Sequence, residues 1–292
     1  MMNRIYWLFA NSSIYKSIKQ NHPTLYNFII RNTIRKNIKV ISIDTGIFLT
    51  EKLCEQLPRD YDCIIGIPRA GLIFANIISS KLGLPLSTPD DFTRNIIWSG
   101  MHNQLSKLSY KKVLLVNDDI TDGIDMNNQI AKLRSFNYQL EIETLTVFAN
   151  PYLRNKVDYH IATSQAGTNY EWGFIHSPLA GSLCVDLDGI LCSDTDPTKP
   201  LFIPTFEIEA IVTARPESER EKTELWLKFS NVKFKHLFML PPKVADSLQW
   251  KIEKLKEINP YWYWESDQEQ ATRIAHSAGI PVLCPNTLKV YR

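Results

Sequence analysis

The chain has 292 residues, of which 44% are hydrophobic, and its 33 lysines and arginines nearly balance 31 acidic residues, for a net charge of +2. This length suits two domains of ordinary size, and the balanced charge argues against a general nucleic-acid or membrane-surface binder. The five cysteines form no CxxC pair and fit no disulfide framework, so we expect a reducing, cytoplasmic location. The apolar run 5–10 is too short for a signal-peptide core or a membrane span.

The first half of the chain alternates apolar runs with helical patterns. Strands are predicted at 64–67, 113–116 and 142–148, and helices at 71–82 and 125–136. Strands that alternate with helices predict a parallel α/β sheet flanked by helices.

Two loops of this half carry residues that suit a phosphorylated sugar. Residues 66–71 (Gly-Ile-Pro-Arg-Ala-Gly) follow the first strand, and residues 117–123 (Asn-Asp-Asp-Ile-Thr-Asp-Gly) follow the central strand. The acidic loop can hold ribose hydroxyls with its carboxylates and a 5′-phosphate with its amides.

In this order, the two loops resemble the pyrophosphate loop and the phosphoribosyl-pyrophosphate (PRPP) motif of type I phosphoribosyltransferases, over roughly residues 35–178. The resemblance implies a phosphoribosyltransferase-like fold that binds PRPP or a nucleotide, and dimers are usual in the family. The residues that it assigns to this ligand are Arg69, Asp118, Asp119, Thr121 and Gly123.

The acidic loop departs from the family pattern in two respects. Asn117 stands where the family usually has the first of two adjacent acids, and sliding the register to Asp118 and Asp119 restores the acid pair but shortens the loop by one residue. Asp122 and Asp125 stand where the family offers Thr or Ser, and a carboxylate repels a dianionic phosphate. Three interpretations stay open: a modified mode of PRPP binding, a different ligand, or a domain that no longer catalyses.

Two aromatic residues lie where this family places its base-recognising hood. Tyr170 or Trp172 can stack on a planar base. Aromatic packing at a domain junction is the alternative.

Residues 177–182 (Ser-Pro-Leu-Ala-Gly-Ser) read as a linker, which divides the chain into domains 1–178 and 179–292. Beyond it, strands are predicted at 183–187, 208–213, 234–239, 261–264 and 281–284, and helices at 216–228, 244–257 and 268–277. The second half is therefore a second parallel α/β unit.

The first strand of this half delivers two aspartates, Asp186 and Asp188, into a turn at Gly189. Two carboxylates and a nearby carbonyl make an oxygen-rich site for Mg²⁺. One carboxylate can attack phosphorus while the other handles the proton. The alternative is a buried strand that ends in an Asp-Gly turn.

Three later segments carry further polar groups. Thr213 ends a strand before a predicted helix, where it suits a phosphate or, alternatively, an N-cap. Lys251 lies on the predicted helix that precedes the next strand. Lys243 and Lys254 are alternative candidates for the same role. Glu265 and Asp267 follow that strand.

These four segments, in this order, resemble the motifs of haloacid-dehalogenase (HAD) phosphohydrolases over roughly residues 180–292. The resemblance implies a Rossmann-like fold in which Asp186 is the nucleophile, Asp188 the general acid and base, and Thr213 the phosphate-binding hydroxyl. Lys251 neutralises the phosphate oxygens. The Mg²⁺ ligands come from Asp186, Asp188, Glu265 and Asp267, with Glu265 favoured over Asp267. The stretch between the first two motifs is too short for an inserted cap domain.

Together the two resemblances predict an enzyme of nucleotide metabolism that joins phosphoribosyl transfer between PRPP and a base to Mg²⁺-dependent hydrolysis of a nucleotide 5′-phosphate. In the alternative, only the phosphatase works and the first domain is a nucleotide-binding or scaffold module. A third interpretation, a regulatory protein with two inactive sites, is disfavoured by the set of Asp186, Asp188 and Thr213. The expected partners are small-molecule nucleotides or PRPP, with no membrane or general nucleic-acid binding and with a homodimer implied by the first resemblance.

Overall fold

The computed structural model describes residues 35–99, 110–120, 123–165, 167–173, 176 and 183–292. Within these residues the strands are β1 (Lys39–Ile41), β2 (Cys63–Gly66), β3 (Leu86–Ser87), β4 (Lys112–Ile120), β5 (Glu141–Ala149), β6 (Tyr159–Thr163), β7 (Thr168–Tyr170), β8 (Leu183–Val185), β9 (Ile208–Pro216), β10 (Phe234–Leu240), β11 (Trp262–Trp264), β12 (Val282–Cys284) and β13 (Lys289–Tyr291). The helices are α1 (Ile43–Cys54), α2 (Gly71–Leu82), α3 (Pro89–Phe92), α4 (Ile124–Phe136), α5 (Arg220–Phe229), α6 (Ser247–Ile258) and α7 (Gln268–Ala278).

The described residues pack as two compact units, which we call the central unit (41–165) and the C-terminal unit (35–40 with 166–292). The predicted domain boundary at 178/179 differs from the division between these two units. The predicted linker at 177–182 lies outside the described residues. Residues 35–40 join the C-terminal unit because Ile38 is buried in that unit's core and its carbonyl accepts a hydrogen bond from Arg292. The boundary between the two domains stays a prediction.

The described part of the central unit holds a five-stranded parallel sheet in the order β3-β2-β4-β5-β6. Its middle strands are apolar on both faces, as expected where helices cover both sides of a sheet. The predicted α/β architecture of this half is confirmed. Strand β4 is longer than predicted, since pairing with β5 continues to Ile120 and places Asp118 and Asp119 in the strand rather than in a loop.

A polar network fixes the start of this sheet. The carboxylate of Glu143 on β5 accepts hydrogen bonds from the hydroxyl groups of Tyr61 and Tyr159, and it pairs with Lys112 of β4. Burial raises the pKa of Glu143, but these hydrogen bonds and the charge of Lys112 outweigh burial and hold the pKa below its usual range. The network therefore favours the ionised carboxylate.

In the C-terminal unit, the described residues form a six-stranded sheet in the order β10-β9-β8-β11-β12-β13, which is parallel except for the terminal hairpin. Strands β1 and β7 form a separate two-stranded sheet. Helices α6 and α7 begin at the capping aspartates Asp246 and Asp267, each of which accepts a backbone N–H of the first turn. Because β8, β9 and β11 are neighbouring parallel strands, the residues at their carboxyl ends share one edge of the sheet.

No helix in the described residues is both long and apolar enough to cross a bilayer.

Candidate functional sites

The two loops singled out in the first half meet at the carboxyl end of β4. The amide of Ile67 donates to the carbonyl of Val116 at 2.9 Å. A Cβ at Gly71 would lie 2.7 Å from the same carbonyl and 3.0 Å from the Cα of Asn117, so only glycine lets α2 begin this close to the strand. Arg69 lies exposed in the loop between β2 and α2, and the Pro68–Arg69 peptide bond is cis.

The end of β4 is organised by its own side chains. Asn117 accepts the amide of Asp118 through Oδ1 and donates through Nδ2 to the carbonyl of Asp119, both at 3.0 Å. Asp119 also accepts a hydrogen bond from the hydroxyl of Ser164 at 3.2 Å. Since alternate residues of a strand share a face, Asp118 points away from the side taken by Asn117 and Asp119.

The acidic loop leads into α4 at Gly123, whose φ of +79° is left-handed. Its N-cap residue is Gly123, which offers no side chain to the helix, so the amides of the first turn can face an anion. Asp125 is exposed in that turn and accepts a hydrogen bond from Gln129. Thr121 and Asp122 lie outside the described residues.

The two residues predicted to form the hood contact each other. The rings of Tyr170 and Trp172 stack with their centroids 4.8 Å apart and their planes 19° apart. This stack fits the alternative of aromatic packing, and their role in base recognition stays a prediction.

The second half carries the more completely assembled site, at the carboxyl ends of β8, β9 and β11. Asp186 follows β8, and its amide donates to the carbonyl of Trp264 at 2.9 Å. Its carboxylate accepts the amide of Leu187 through Oδ1 at 2.8 Å and the ammonium of Lys251 through Oδ2 at 2.7 Å. The predicted nucleophile is thus fixed in one orientation beside a cation.

Lys251 reaches this site from α6 and bridges two carboxylates. Its Nζ lies 2.8 Å from Oε2 of Glu265, and the side chains of Lys251 and Glu265 are each only 1% exposed. Burial alone would lower the pKa of Lys251, but the charges of Asp186 and Glu265 raise it. Burial and the charge of Asp186 raise the pKa of Glu265 to about 7 against the opposing effect of Lys251. Of the three predicted lysine candidates, Lys251 is the one that contacts Asp186.

The predicted phosphate-binding hydroxyl lies on the neighbouring strand. Thr213 is fully buried within β9, and its Oγ1 accepts the amide of Arg215 at 3.2 Å. It does not cap a helix, because β9 continues to Pro216 and α5 begins at Arg220. The N-cap alternative is therefore wrong.

Asp188 stands in the turn after Asp186 and pairs with an arginine that sequence reasoning missed. A Cβ at Gly189, whose φ is +74°, would lie 2.2 Å from Oγ of Ser266, so the turn requires glycine. Oδ1 of Asp188 lies 2.5 Å from Nη2 of Arg215, and Oδ2 lies 3.0 Å from its Nε. Strand alternation carried the missed signal, because residues 213 and 215 share one side of β9.

Two further acids lie near this centre. Burial, followed by the charges of Asp188, Asp186 and Asp267, raises the pKa of Asp194. Asp267 caps α7 by accepting the amide of Gln270 at 2.7 Å, and its own amide donates to Glu265 at 3.3 Å.

The residues present are compatible with Mg²⁺. No group of three or more His, Cys, Asp or Glu side chains in the described residues is arranged to hold a metal ion. Mg²⁺ nevertheless needs only one or two carboxylates, since waters and substrate phosphate fill its remaining positions. Asp186, the carbonyl of Asp188 and Asp267 supply oxygen donors of this kind. The carboxylates of Asp186 and Glu265 are both also bonded to Lys251, and the preference for Glu265 over Asp267 as a metal ligand stays a prediction.

Comparison with known proteins identifies the class of the first half. Residues 35–179 match the family model of the phosphoribosyl transferase domain. The first half is therefore a phosphoribosyltransferase-like α/β domain, of the type found in nucleotide metabolism. No curated protein matches the chain.

Solved phosphoribosyltransferase structures are similar to part of the chain. The purine phosphoribosyltransferase from Pyrococcus horikoshii is 22% identical, with 47% of this chain and 93% of that chain covered and a TM-score of 0.33. The Helicobacter pylori xanthine-guanine-hypoxanthine phosphoribosyltransferase is 12% identical, with 47% and 92% covered and a TM-score of 0.36. The orotate phosphoribosyltransferase from Aeropyrum pernix is 21% identical, with 41% and 70% covered and a TM-score of 0.29.

Proposed function

We propose that this protein is a two-domain enzyme of nucleotide metabolism. Its first domain transfers phosphoribose between PRPP and a base, and its second domain (179–292) is a capless HAD-type phosphatase that hydrolyses a nucleotide 5′-phosphate. The observation that carries the second activity is the buried bridge from Asp186 through Lys251 to Glu265, beside the Asp188–Arg215 pair. A cytoplasmic location and a homodimer remain part of the proposal.

The chemistry follows from the positions of two aspartates. An oxygen of Asp186 attacks phosphorus and forms an acyl phosphate, while the bond from phosphorus to the ester oxygen breaks. Asp188 gives its proton to the departing oxygen. Water then attacks phosphorus, returns a proton to Asp188 and releases inorganic phosphate and free Asp186.

The surrounding groups supply charge and orientation. The cation of Lys251 offsets charge on Asp186 and on the incoming phosphate, and the hydroxyl of Thr213 offers a hydrogen bond to a phosphoryl oxygen. Acids outnumber bases around this centre, and a dianionic phosphate adds further negative charge. Mg²⁺, when bound through Asp186 and neighbouring oxygens, supplies Lewis-acid stabilisation of the phosphoryl oxygens.

For the first domain, the proposed ligand contacts are Arg69 with the diphosphate, Asp118 with ribose hydroxyls and the amides after Gly123 with the 5′-phosphate. A second candidate is a phosphatase whose first domain binds nucleotide or serves as a scaffold without catalysing. It is favoured by the bond of Asp119 to Ser164 and by the exposed carboxylate of Asp125 in the first turn of α4. The bond to Ser164 engages one acid of the pair that would bind ribose hydroxyls. The carboxylate of Asp125 places negative charge where the family's loop binds the 5′-phosphate.

A substrate screen tests the proposal. The full-length protein is incubated with a panel of nucleoside 5′-monophosphates, with Mg²⁺ or with a chelator, and inorganic phosphate is measured. We expect release that requires Mg²⁺ and differs among bases. The same panel with PRPP and free bases, followed by nucleotide detection, tests the transferase. Phosphate release without nucleotide formation selects the second candidate, and no phosphate release from any phosphomonoester contradicts the proposed phosphatase.

A further inference from the structure

The Asp188–Arg215 pair has a geometry that a chance surface ion pair lacks. The guanidinium approaches both oxygens of Asp188, with Nε 3.2 Å from Oδ1 and 3.0 Å from Oδ2, and Nη2 2.5 Å from Oδ1. The Arg215 side chain is only 12% exposed. A fork of this kind fixes the orientation of a carboxylate as well as its charge.

The thiol of Cys192 contacts both members of this pair. The thiol of Cys192 lies 3.4 Å from Oδ1 of Asp188 and 3.4 Å from Nη2 of Arg215. Burial, followed by the charge of Asp188, raises the pKa of the Cys192 thiol to about 12, so the thiol stays protonated and donates to the carboxylate. Asp188 is therefore held by side chains from the end of β9 and from its own loop.

Arg215 is itself fixed by its strand. Its amide donates to Thr213 at 3.2 Å, which ties its backbone to the proposed phosphate-binding residue. On the opposite side of the turn, the hydroxyl of Ser266 lies 3.4 Å from the carbonyl of Asp188. Both ends of the pair are thus anchored, and the side chain of Asp188 is 35% exposed, so that a leaving group can approach it.

We propose that Arg215 is a positioning residue that aims the carboxyl group of Asp188 at the leaving-group oxygen, and that it acts on the reaction only through Asp188. This inference rests on the proposed phosphatase function. A proton donor that is misplaced by about 1 Å loses much of its effect, so an anchored carboxyl group has a clear kinetic value.

The proposal makes a specific kinetic expectation for Arg215→Met. The variant should lose at least about tenfold in kcat on a nucleoside monophosphate, which has a poor leaving group, with little change in KM. On p-nitrophenyl phosphate, whose leaving group needs little protonation, the loss should be clearly smaller. Arg215→Lys keeps the charge but not the fork, so its loss should be intermediate.

A double-mutant cycle with Asp188→Asn separates positioning from direct substrate binding. If Arg215 acts through Asp188, adding Arg215→Met to Asp188→Asn should change kcat by less than about twofold. Arg220→Met is the control in the same unit, because Arg220, at the start of α5, pairs with Glu217 and Glu224 and not with Asp188. The control should match the wild-type rates.

The outcomes distinguish this inference from the proposed function. Losses that multiply in the double variant, or a raised KM with unchanged kcat, would show that Arg215 binds substrate directly and would overturn the inference while the phosphatase stands. A wild-type protein without Mg²⁺-dependent phosphatase activity would overturn both. If thermal unfolding shows that Arg215→Met does not fold, Arg215→Lys replaces it in the double-mutant cycle. The same dependence on the leaving group is then expected, and losses that multiply would again overturn the inference.

Discussion

Replacing Lys251 by Met should destabilise the C-terminal unit strongly. Methionine has nearly the same length and fills the same space, so packing changes little while the cation is lost. The carboxylates of Asp186 and Glu265 are then left facing each other in a buried site without the group that bridges them at 2.7 and 2.8 Å. Removing one partner of a buried charge pair costs about 3–5 kcal/mol, a large part of the 5–15 kcal/mol that is typical of a domain.

Urea unfolding followed by tryptophan fluorescence measures this loss, because Trp262 and Trp264 are buried in β11 beside the site. With an m value of about 2 kcal/mol/M, a loss of about 4 kcal/mol lowers the urea midpoint by about 2 M. Lys254→Met is the matched control on the same helix. Lys254 pairs with Glu257, which is mostly exposed, so the control should cost less than about 1 kcal/mol.

The pH dependence of this variant has a definite sign. The pKa of Glu265 is already raised to about 7, and removal of Lys251 raises it further. A carboxyl group whose folded pKa exceeds its unfolded pKa favours folding at low pH, and this contribution disappears as the pH rises through the folded value. The gap between wild type and Lys251→Met should therefore narrow from pH 8 to pH 5. Equal midpoints for Lys251→Met and Lys254→Met at pH 8 would refute the buried bridge.

Three further predictions concern both halves of the chain. Asp188→Asn should lower the rate about 10²–10⁴-fold on nucleoside monophosphates and less on p-nitrophenyl phosphate, and an equal penalty on both would contradict the acid–base role. If the first domain is a working transferase, the double change Asp122→Thr and Asp125→Thr should tighten PRPP by about 1–3 kcal/mol in calorimetry, and binding to neither protein would favour the scaffold interpretation. Glu143→Gln should destabilise the central unit most near pH 7, and the difference should shrink as the pH falls through the depressed pKa of Glu143; a pH-independent difference in urea midpoint would argue against this network.

The inner strands of both sheets could be predicted because they are short apolar runs, and several helices carry ordinary start and stop signals. The edge strands β3, β6 and β13 and helix α1 were not predicted. The helix at 71–82 is confirmed at its predicted bounds, and α4 begins one residue earlier than predicted. The end of β4 was missed because polar residues 117–119 look like a loop in sequence. Tertiary pairing with β5 and burial of Ile120 keep them in the strand.

In the candidate phosphatase site, only the proximity of Asp186 and Asp188 follows from their spacing. Thr213, Lys251 and Glu265 were assigned through the HAD resemblance, and their roles stay predictions. Because β8 and β11 are neighbouring parallel strands, Asp186 and Glu265 lie at the same edge of the sheet, and Lys251 reaches both from α6. The partner of Asp188 was not predicted, because a contact between residues 188 and 215 depends on how the turn and β9 pack.

The most direct test of the central claim compares wild type, Asp186→Asn and Asp196→Asn in Mg²⁺-dependent phosphate release from the best nucleoside monophosphate of the panel. Asp186→Asn keeps the shape of the side chain but removes the nucleophile's charge and one charged Mg²⁺ ligand, so the rate should fall at least about a thousandfold. Asp196 lies in the exposed loop after the site, bonded to Thr198, so its variant should match wild type. Near-normal activity in Asp186→Asn would contradict the assignment of residues 179–292 as a HAD-type phosphatase.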